Sequence, residues 1–318
     1  MKKIVLLALC AAFASSAFAQ NWPTKPIRVL VGFAPGGSTD VSARWTGEIV
    51  SKELGQPVVV ENRPGASGSI AIEAMMRGPH DGHTIVVGSD SSFYQPVLNP
   101  SLPYRADKDL KPITILTYQP IVIAVHPAPG WRSIADLVKA AKARPGEIAY
   151  ALSSPTGTQA VAGGVFFRMA GVKLIPVPYK GGAQAIVDLV SGQVPVAVLG
   201  TTPVVPQAQA GRVRLLAVTS KARAKVLPDV PTLAELGYPD MDIGQWFGAV
   251  APAGVPNDVV TRLSNAFNKA LSDQKIAQRF FATGLEVVGG SPEDMRKRMA
   301  AELVIWAKAA KEAGLGSK

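Results

Sequence analysis

Short β-branched apolar runs alternate with amphipathic stretches along nearly the whole chain, the pattern of a mainly parallel sheet covered by helices on both faces. Strands are predicted at residues 27–31, 57–61, 84–88, 113–115, 121–126, 148–151, 174–178, 194–199, 215–219 and 247–251. The 3.6-residue period predicts helices at 41–54, 69–77, 133–144, 157–170, 183–191, 204–210, 232–236, 258–272, 274–283 and 292–313. Two of the apolar strands, in the stretches 122–130 and 248–256, leave through Pro/Gly turns into amphipathic helices. Such a pair suits a chain that leaves one domain, builds a second and returns, although turns of this kind occur in any α/β protein. The division predicted on this basis is a discontinuous first domain, 21–120 with 228–318, and a second, 121–227. A ligand cleft lies between them.

The chain's first residues depart from this alternation. Met1-Lys2-Lys3 is a short basic start, residues 4–13 are apolar but too few to span a membrane, and Ala17-Phe18-Ala19 is a small-x-small cleavage site. They predict a signal peptide over 1–19, cleaved after Ala19, and a periplasmic protein. The single cysteine, Cys10, leaves with that segment, and Leu9 before it is too large for a lipoprotein processing site. A mature chain without cysteine is held by its core alone, which roughly 300 residues can provide.

With 47% hydrophobic and 18% charged residues, the composition is that of a globular protein. The net charge of +10 falls by two when Lys2 and Lys3 leave. The remaining basic residues are scattered, without the aromatic interleaving of a single-strand groove, so no nucleic-acid partner is expected. They read as solvated surface with a modest pull on anions.

Candidate chemistry concentrates where strands run into helices. Residues 27–40 read Ile-Arg-Val-Leu-Val-Gly-Phe-Ala-Pro-Gly-Gly-Ser-Thr-Asp, a buried strand entering a glycine turn that opens onto a helix. Pro35, Gly36 and Gly37 permit close backbone approach, Ser38, Thr39 and Asp40 suit a cap and first turn, and the helix end offers unpaired N–H groups to an anion. On spacing alone an ordinary capped turn reads the same way. Further polar loops follow other strands: Ser89 and Asp90, with Ser91 and Ser92; Ser153, Ser154, Thr156, Gly157 and Thr158, continuing to Gln159; and Tyr179, ahead of Gly181 and Gly182. Gly200 and Thr201 stand at the end of another strand. Loops converging from both halves favour a binding cleft more than any one of them does. Arg63, in a second glycine-rich loop, reads as structural before it reads as a carboxylate partner. Trp246 and Phe247 fall near the hinge, within reach of a ligand.

Catalytic readings find little support. G-x-S-x-G, a P-loop Gly-Lys pair, G-x-G-x-x-G and H-E-x-x-H are all missing. His80 and His83 share a glycine-rich turn with no third ligand nearby, so neither a metal nor a cofactor is expected.

The motifs Pro35-Gly-Gly-Ser-Thr-Asp40, Gly55-Gln-Pro-Val-Val-Val-Glu-Asn-Arg-Pro-Gly-Ala66, Val177-Pro-Tyr-Lys-Gly-Gly182, Leu227-Pro-Asp-Val-Pro-Thr232 and Trp246-Phe-Gly248, with Ala251-Pro-Ala-Gly254, occur in order along the mature chain. In them the chain resembles the Bug (TctC-like) family, periplasmic solute receptors of tripartite tricarboxylate transporters. The resemblance implies an α/β two-domain Venus-flytrap periplasmic binding protein, type II-like. It also implies a carboxylate held by backbone groups and water, through loops that correspond here to 35–40 and 153–159. Two departures stand out: no histidine follows the Ser-rich loop, where Gln159-Ala-Val-Ala162 stands, and no acidic or amide pair occupies Gly200-Thr-Thr202. Without that acidic group a ligand amine is poorly recognised, so a plain carboxylate gains weight over an amino acid. The expected protein is a monomeric, cofactor-free receptor that closes on a small organic anion and presents it to membrane permease subunits of a tripartite tricarboxylate-type transporter. Signalling to a membrane sensor, or a lyase or isomerase acting on a carboxylate, is the alternative.

Overall fold

β1 (Ile27–Val31) is the apolar centre of the first lobe, flanked in parallel by β2 (Val58–Asn62) and β3 (Thr84–Ser89). The computed structural model describes residues 22–312; the predicted signal peptide, 1–19, lies outside the described residues. β9 (Gly244–Pro252) adds antiparallel to β3, and β4 (Leu110–Val125) adds antiparallel to β9. Beyond Pro120, β4 changes partners. Its last five residues pair with β7 (Val196–Gly200) and β8 (Arg214–Val218), and β7 continues through β5 (Ala149–Leu152) to β6 (Ile175–Pro178) in parallel. A short β10 (Glu286–Val287) closes on β4 beside Tyr118.

One strand therefore belongs to two sheets, where the sequence predicts two separate strands at 113–115 and 121–126. The polar Tyr118-Gln119-Pro120 step reads as a turn in isolation. It stays extended because β9 supplies its partners, Gln119 opposite Gln245 and Pro120 opposite Gly244. Alternation along both strands then sorts their side chains. Gln245 and Phe247 face one cavity, Tyr118 and Gly244 another.

Helices cover both sheets: α1 (Ser38–Leu54), α2 (Ser69–Met76) and α3 (Asp90–Leu98) follow β1 to β3, and α4 (Ile134–Ala143) follows β4. In the second lobe α5 (Thr158–Met169), α6 (Gly182–Val190) and α7 (Thr201–Gln209) follow β5, β6 and β7. α8 (Asn257–Ser272), α9 (Gln274–Ala282) and α10 (Pro292–Glu312) end the described chain. Ile27, Val29, Val31, Ile85 and Val87 pack with Leu263 and Phe267 of α8 in one apolar layer. In the other lobe Ala197 and Leu199 pack with Ala185 and Leu189 of α6. α10 lies along β4 and touches both α3 and α5, so it bridges the lobes.

Two local expectations change. The Ser89–Ser92 stretch, predicted as loop, opens α3, since Asp and Ser in a first turn complement the helix N-terminus as well as they make turns. The predicted helix at 232–236 is a turn instead: Pro231 and Gly237 bracket it, and Leu233 N donates to Val218 O rather than to its own chain four residues back.

Candidate functional site

The loop after β1 owes its shape to Gly36 and Asp40. Gly36 adopts φ +82°, a left-handed conformation open to glycine, and its N–H donates to Asp40 Oδ2 at 2.9 Å. Arg44 Nε (3.0 Å) and Asn62 Nδ2 (2.8 Å) occupy the rest of that buried carboxylate. Asp40 therefore braces the turn and presents no free charge. The brace leaves Gly37, Ser38 and Thr39 lining a cleft shared with Ser153, Gln159 and Gly182 of the second lobe. Gly200 at the end of β7 and Pro203 of α7, with Phe33, Gln245 and Phe247 of the first lobe, complete it.

Four helices present their first turns to this cleft, and all four begin after glycine: Gly37 before α1, Gly157 before α5, Gly181 before α6 and Gly200 before α7. No side chain caps any of them; α4 is closed by a Ser133–Asp136 capping box and α9 by Asp273, while α2, α3 and α8, away from the cleft, also lack a side-chain cap. Uncapped first turns carry free N–H donors and partial positive charge. Among the described residues lining the cleft, no side chain is charged. A neutral wall around converging positive helix ends favours an anion over a cation. As the lobes sit here the cleft holds about 20 Å³, room for a water-sized group, so a larger ligand requires the lobes to part.

Gln119, which the sequence reading did not nominate, sits at the centre of this arrangement, fully buried. Its Oε1 accepts from Ser38 at 3.0 Å and from Thr201 at 3.1 Å, and its Nε2 donates to Gln245 Oε1 at 3.1 Å. Gly200 makes room for it, because a Cβ there would lie 2.0 Å from Gln119 Nε2. Thr201 is also within reach of Gly284 O, at 2.9 Å.

The remaining nominated residues disperse. Pro35 and Gly36 are exposed at the rim. Ser153 N donates to Gln159 Oε1 at 2.9 Å inside the cleft, while Ser154 is buried with its hydroxyl unpaired. Thr156 instead ties the lobes together, 2.6 Å from Ser67 Oγ and donating to Gln95 Oε1 at 2.8 Å. Ala34 N donates to Lys180 O at 2.8 Å as a further tie. Tyr179 lies outside the cleft and donates its hydroxyl to Asp188 Oδ2; burial and that carboxylate push its pKa up to about 12. Ser89 is buried among Ser91 and Ser92. Arg63 spends its guanidinium on Glu61. Phe247 lines the cleft but Trp246 points the other way, its indole N–H donating to Glu302.

Asp90 and Thr158 also lie on that other side. They line a second cavity of about 340 Å³ behind the crossover strands, with Tyr94, Tyr118, Arg298 and Trp306. Among the described residues there is no group of three or more His, Cys, Asp or Glu side chains placed to hold a metal ion.

Two α/β lobes joined by β4 and by the return into β9, with helix N-termini turned into the cleft between them, define a periplasmic binding protein fold of the Venus-flytrap kind. The family model described as "Tripartite tricarboxylate transporter family receptor" matches residues 42–315, and the chain belongs to that family. It is 36% identical to Protein BugT of Bordetella pertussis over 307 residues, which cover 96% of this chain and 94% of that one. Among solved structures, "R. palustris Rpa4515 with adipate" superposes with a TM-score of 0.87 at 33% identity, covering 93% of this chain and 99% of the other. MatC (Rpa3494) from Rhodopseudomonas palustris, with bound malate, gives 0.86 at 29% identity, covering 91% and 99%. The protein is thus a periplasmic solute receptor, a binding protein rather than an enzyme.

Proposed function

We propose that the receptor captures a small organic carboxylate in the cleft bounded by Ser38, Gln159 and Gln245 and delivers it to the membrane permease subunits of a tripartite tricarboxylate-type transporter. The observation that carries this reading is the set of four glycine-started, uncapped helices around a cleft without charged side chains. Such a wall supplies N–H donors for carboxylate oxygens and no counter-charge for an ammonium group, so it favours a plain carboxylate over an amino acid. The adipate and malate held by two relatives are of that chemical class. On this reading the signal peptide is cut after Ala19, and the lobes hinge where the chain crosses at 119–121 and 243–245. The second lobe then runs past its predicted end at 227, because Leu233 N bonds Val218 O and Ile243 N bonds Thr219 O.

Calorimetry of the exported protein against adipate, malate, short monocarboxylates and aspartate tests the ligand class. Micromolar or tighter binding of an amine-free acid is expected, with aspartate at least about tenfold weaker. A preference for aspartate sinks the plain-carboxylate reading.

A further inference from the structure

Asp90 opens α3 in the first lobe and Thr158 opens α5 in the second. Thr158 Oγ1 donates to Asp90 Oδ1 at 2.7 Å, and Ser91 N donates to the same oxygen at 2.6 Å. Both side chains are nearly fully buried. The residue after Thr158 is Gln159, which lines the ligand cleft and accepts from Ser153 N. Asp90 lies behind the crossover strands and does not line that cleft. It reaches the ligand cleft through α5 and, by way of the Trp246 backbone and the Ser89–Phe247 pairing, through β9.

We propose that the Asp90–Thr158 bond is an interlobe latch, and that Asp90 is a positioning residue that sets ligand affinity by docking the N-terminus of α5 on the first lobe. This rests on the cleft reading above. The groups facing Asp90 explain the form in which it works. Tyr94 of its own helix, Tyr118 of β4, Asp242 of the return segment, and Arg298 and Glu302 of α10 line the same cavity. Arg298 Nε is committed to Glu302 Oε1 at 2.6 Å, and Asp242 accepts from Lys221 N at 2.9 Å. Asp90 thus has no hydrogen-bonded cation of its own. Burial, with the Glu302 charge adding to it, pushes the Asp90 carboxyl up to about 7, against the opposing pull of hydrogen bonds from Thr158 and from the Ser91 and Trp246 backbone.

When the lobes part, water returns to this carboxyl and its pKa relaxes toward the ordinary aspartate value near 4. Closure is then linked to proton uptake. Below about pH 4 Asp90 is neutral in both states and closure is most favourable; between about 4 and 7 closing takes up a proton, and closure weakens by up to tenfold per pH unit. Above the closed-state value both states are ionised and the dependence levels off. The latch favours capture in mildly acidic surroundings.

The test uses the full mature protein and whichever of adipate or malate binds at pH 5.5, by calorimetry at pH 5.5, 6.5 and 7.5. Wild-type affinity is expected to fall at least about tenfold across that range relative to Asp90→Asn, whose neutral amide keeps an oxygen for Thr158 and Ser91; the ratio cancels ionisation of the probe itself. Thr158→Val is expected to weaken binding at pH 5.5 by about fivefold or more, one hydrogen bond's worth. Equal pH profiles for wild type and Asp90→Asn overturn the proposal, as does wild-type affinity in Thr158→Val. If neither acid binds at pH 5.5, the carboxylate reading fails, and the latch is judged by X-ray scattering of the protein alone. A radius of gyration that grows from pH 5.5 to 7.5 in wild type but not in Asp90→Asn supports the latch; an unchanged wild-type radius overturns it.

Discussion

Gln119 and Gln245 meet side chain to side chain, Nε2 to Oε1 at 3.1 Å, where the two strands that join the lobes run antiparallel. The pair is buried, and its free oxygen on Gln119 is taken by Ser38 of the first lobe and Thr201 of the second. One amide therefore reads the position of both lobes.

Changing that amide should separate folding from binding. Gln119→Glu places a negative charge beside the helix N-termini while keeping an acceptor for Ser38 and Thr201. Carboxylate binding is expected to fall at least about a hundredfold, with the thermal midpoint lowered by only a few degrees. Calorimetry and a thermal melt on the same sample check both halves.

Gly200→Ala tests the same residue from the other side. The added methyl would lie 2.0 Å from Gln119 Nε2, and Gln119 is hydrogen-bonded too tightly to swing away freely. A destabilisation of about 1–3 kcal/mol and binding at least tenfold weaker are expected. Chemical denaturation gives the first and titration the second.

Gly37 stands in a different position. Its φ is −84°, and a Cβ there would sit 3.8 Å from both Ala34 O and Gly182 N, ordinary contacts. Gly37→Ala is expected to fold with a wild-type melting point and to bind about tenfold more weakly because the methyl enters the cleft, and Gly37→Val to lose binding altogether. Arg63→Ala, away from the cleft, should change affinity by less than about twofold. Loss of binding in Arg63→Ala with retention in Gly37→Val would relocate the carboxylate site.

Capping chemistry offers a paired test. Ser133→Ala breaks the capping box of α4 and is expected to cost about 1 kcal/mol of stability with ligand affinity unchanged. Gly37→Asp gives α1 a carboxylate of its own. Stability should rise by a few tenths of a kcal/mol while titrated carboxylate no longer binds, since the helix end is already satisfied.

How much of this was legible in the sequence depends on the range of the interaction. The β1 strand and the turn into α1 are local chemistry, and residues 27–40 announce them. The Ser153–Gln159 loop is legible for the same reason. Gln119 and Gln245 are not, because neither lies in a glycine-rich loop; pairing across 126 residues of chain brings Gln245 to the cleft and Gln119 against its wall. The same long-range pairing turned the expected break at Tyr118-Gln119-Pro120 into continuous strand. Asp90 shows the converse limit. Its composition marked a strand-end polar loop, but which side of the crossover strands it faces follows from the sheet's alternation, and that side is the rear cavity.

The glycine-started helices have a consequence for how such a receptor diversifies. Main-chain amides are the same whatever residues carry them, so the preference for an anion is insulated from most substitutions in the cleft wall. Phe33, Gln159, Pro203 and Phe247 can be exchanged to resize or reshape the cleft while the helix ends go on attracting negative charge. On the proposed reading, side-chain exchange alone would change which acid fits the cleft while leaving the main-chain donors that hold its carboxylate in place.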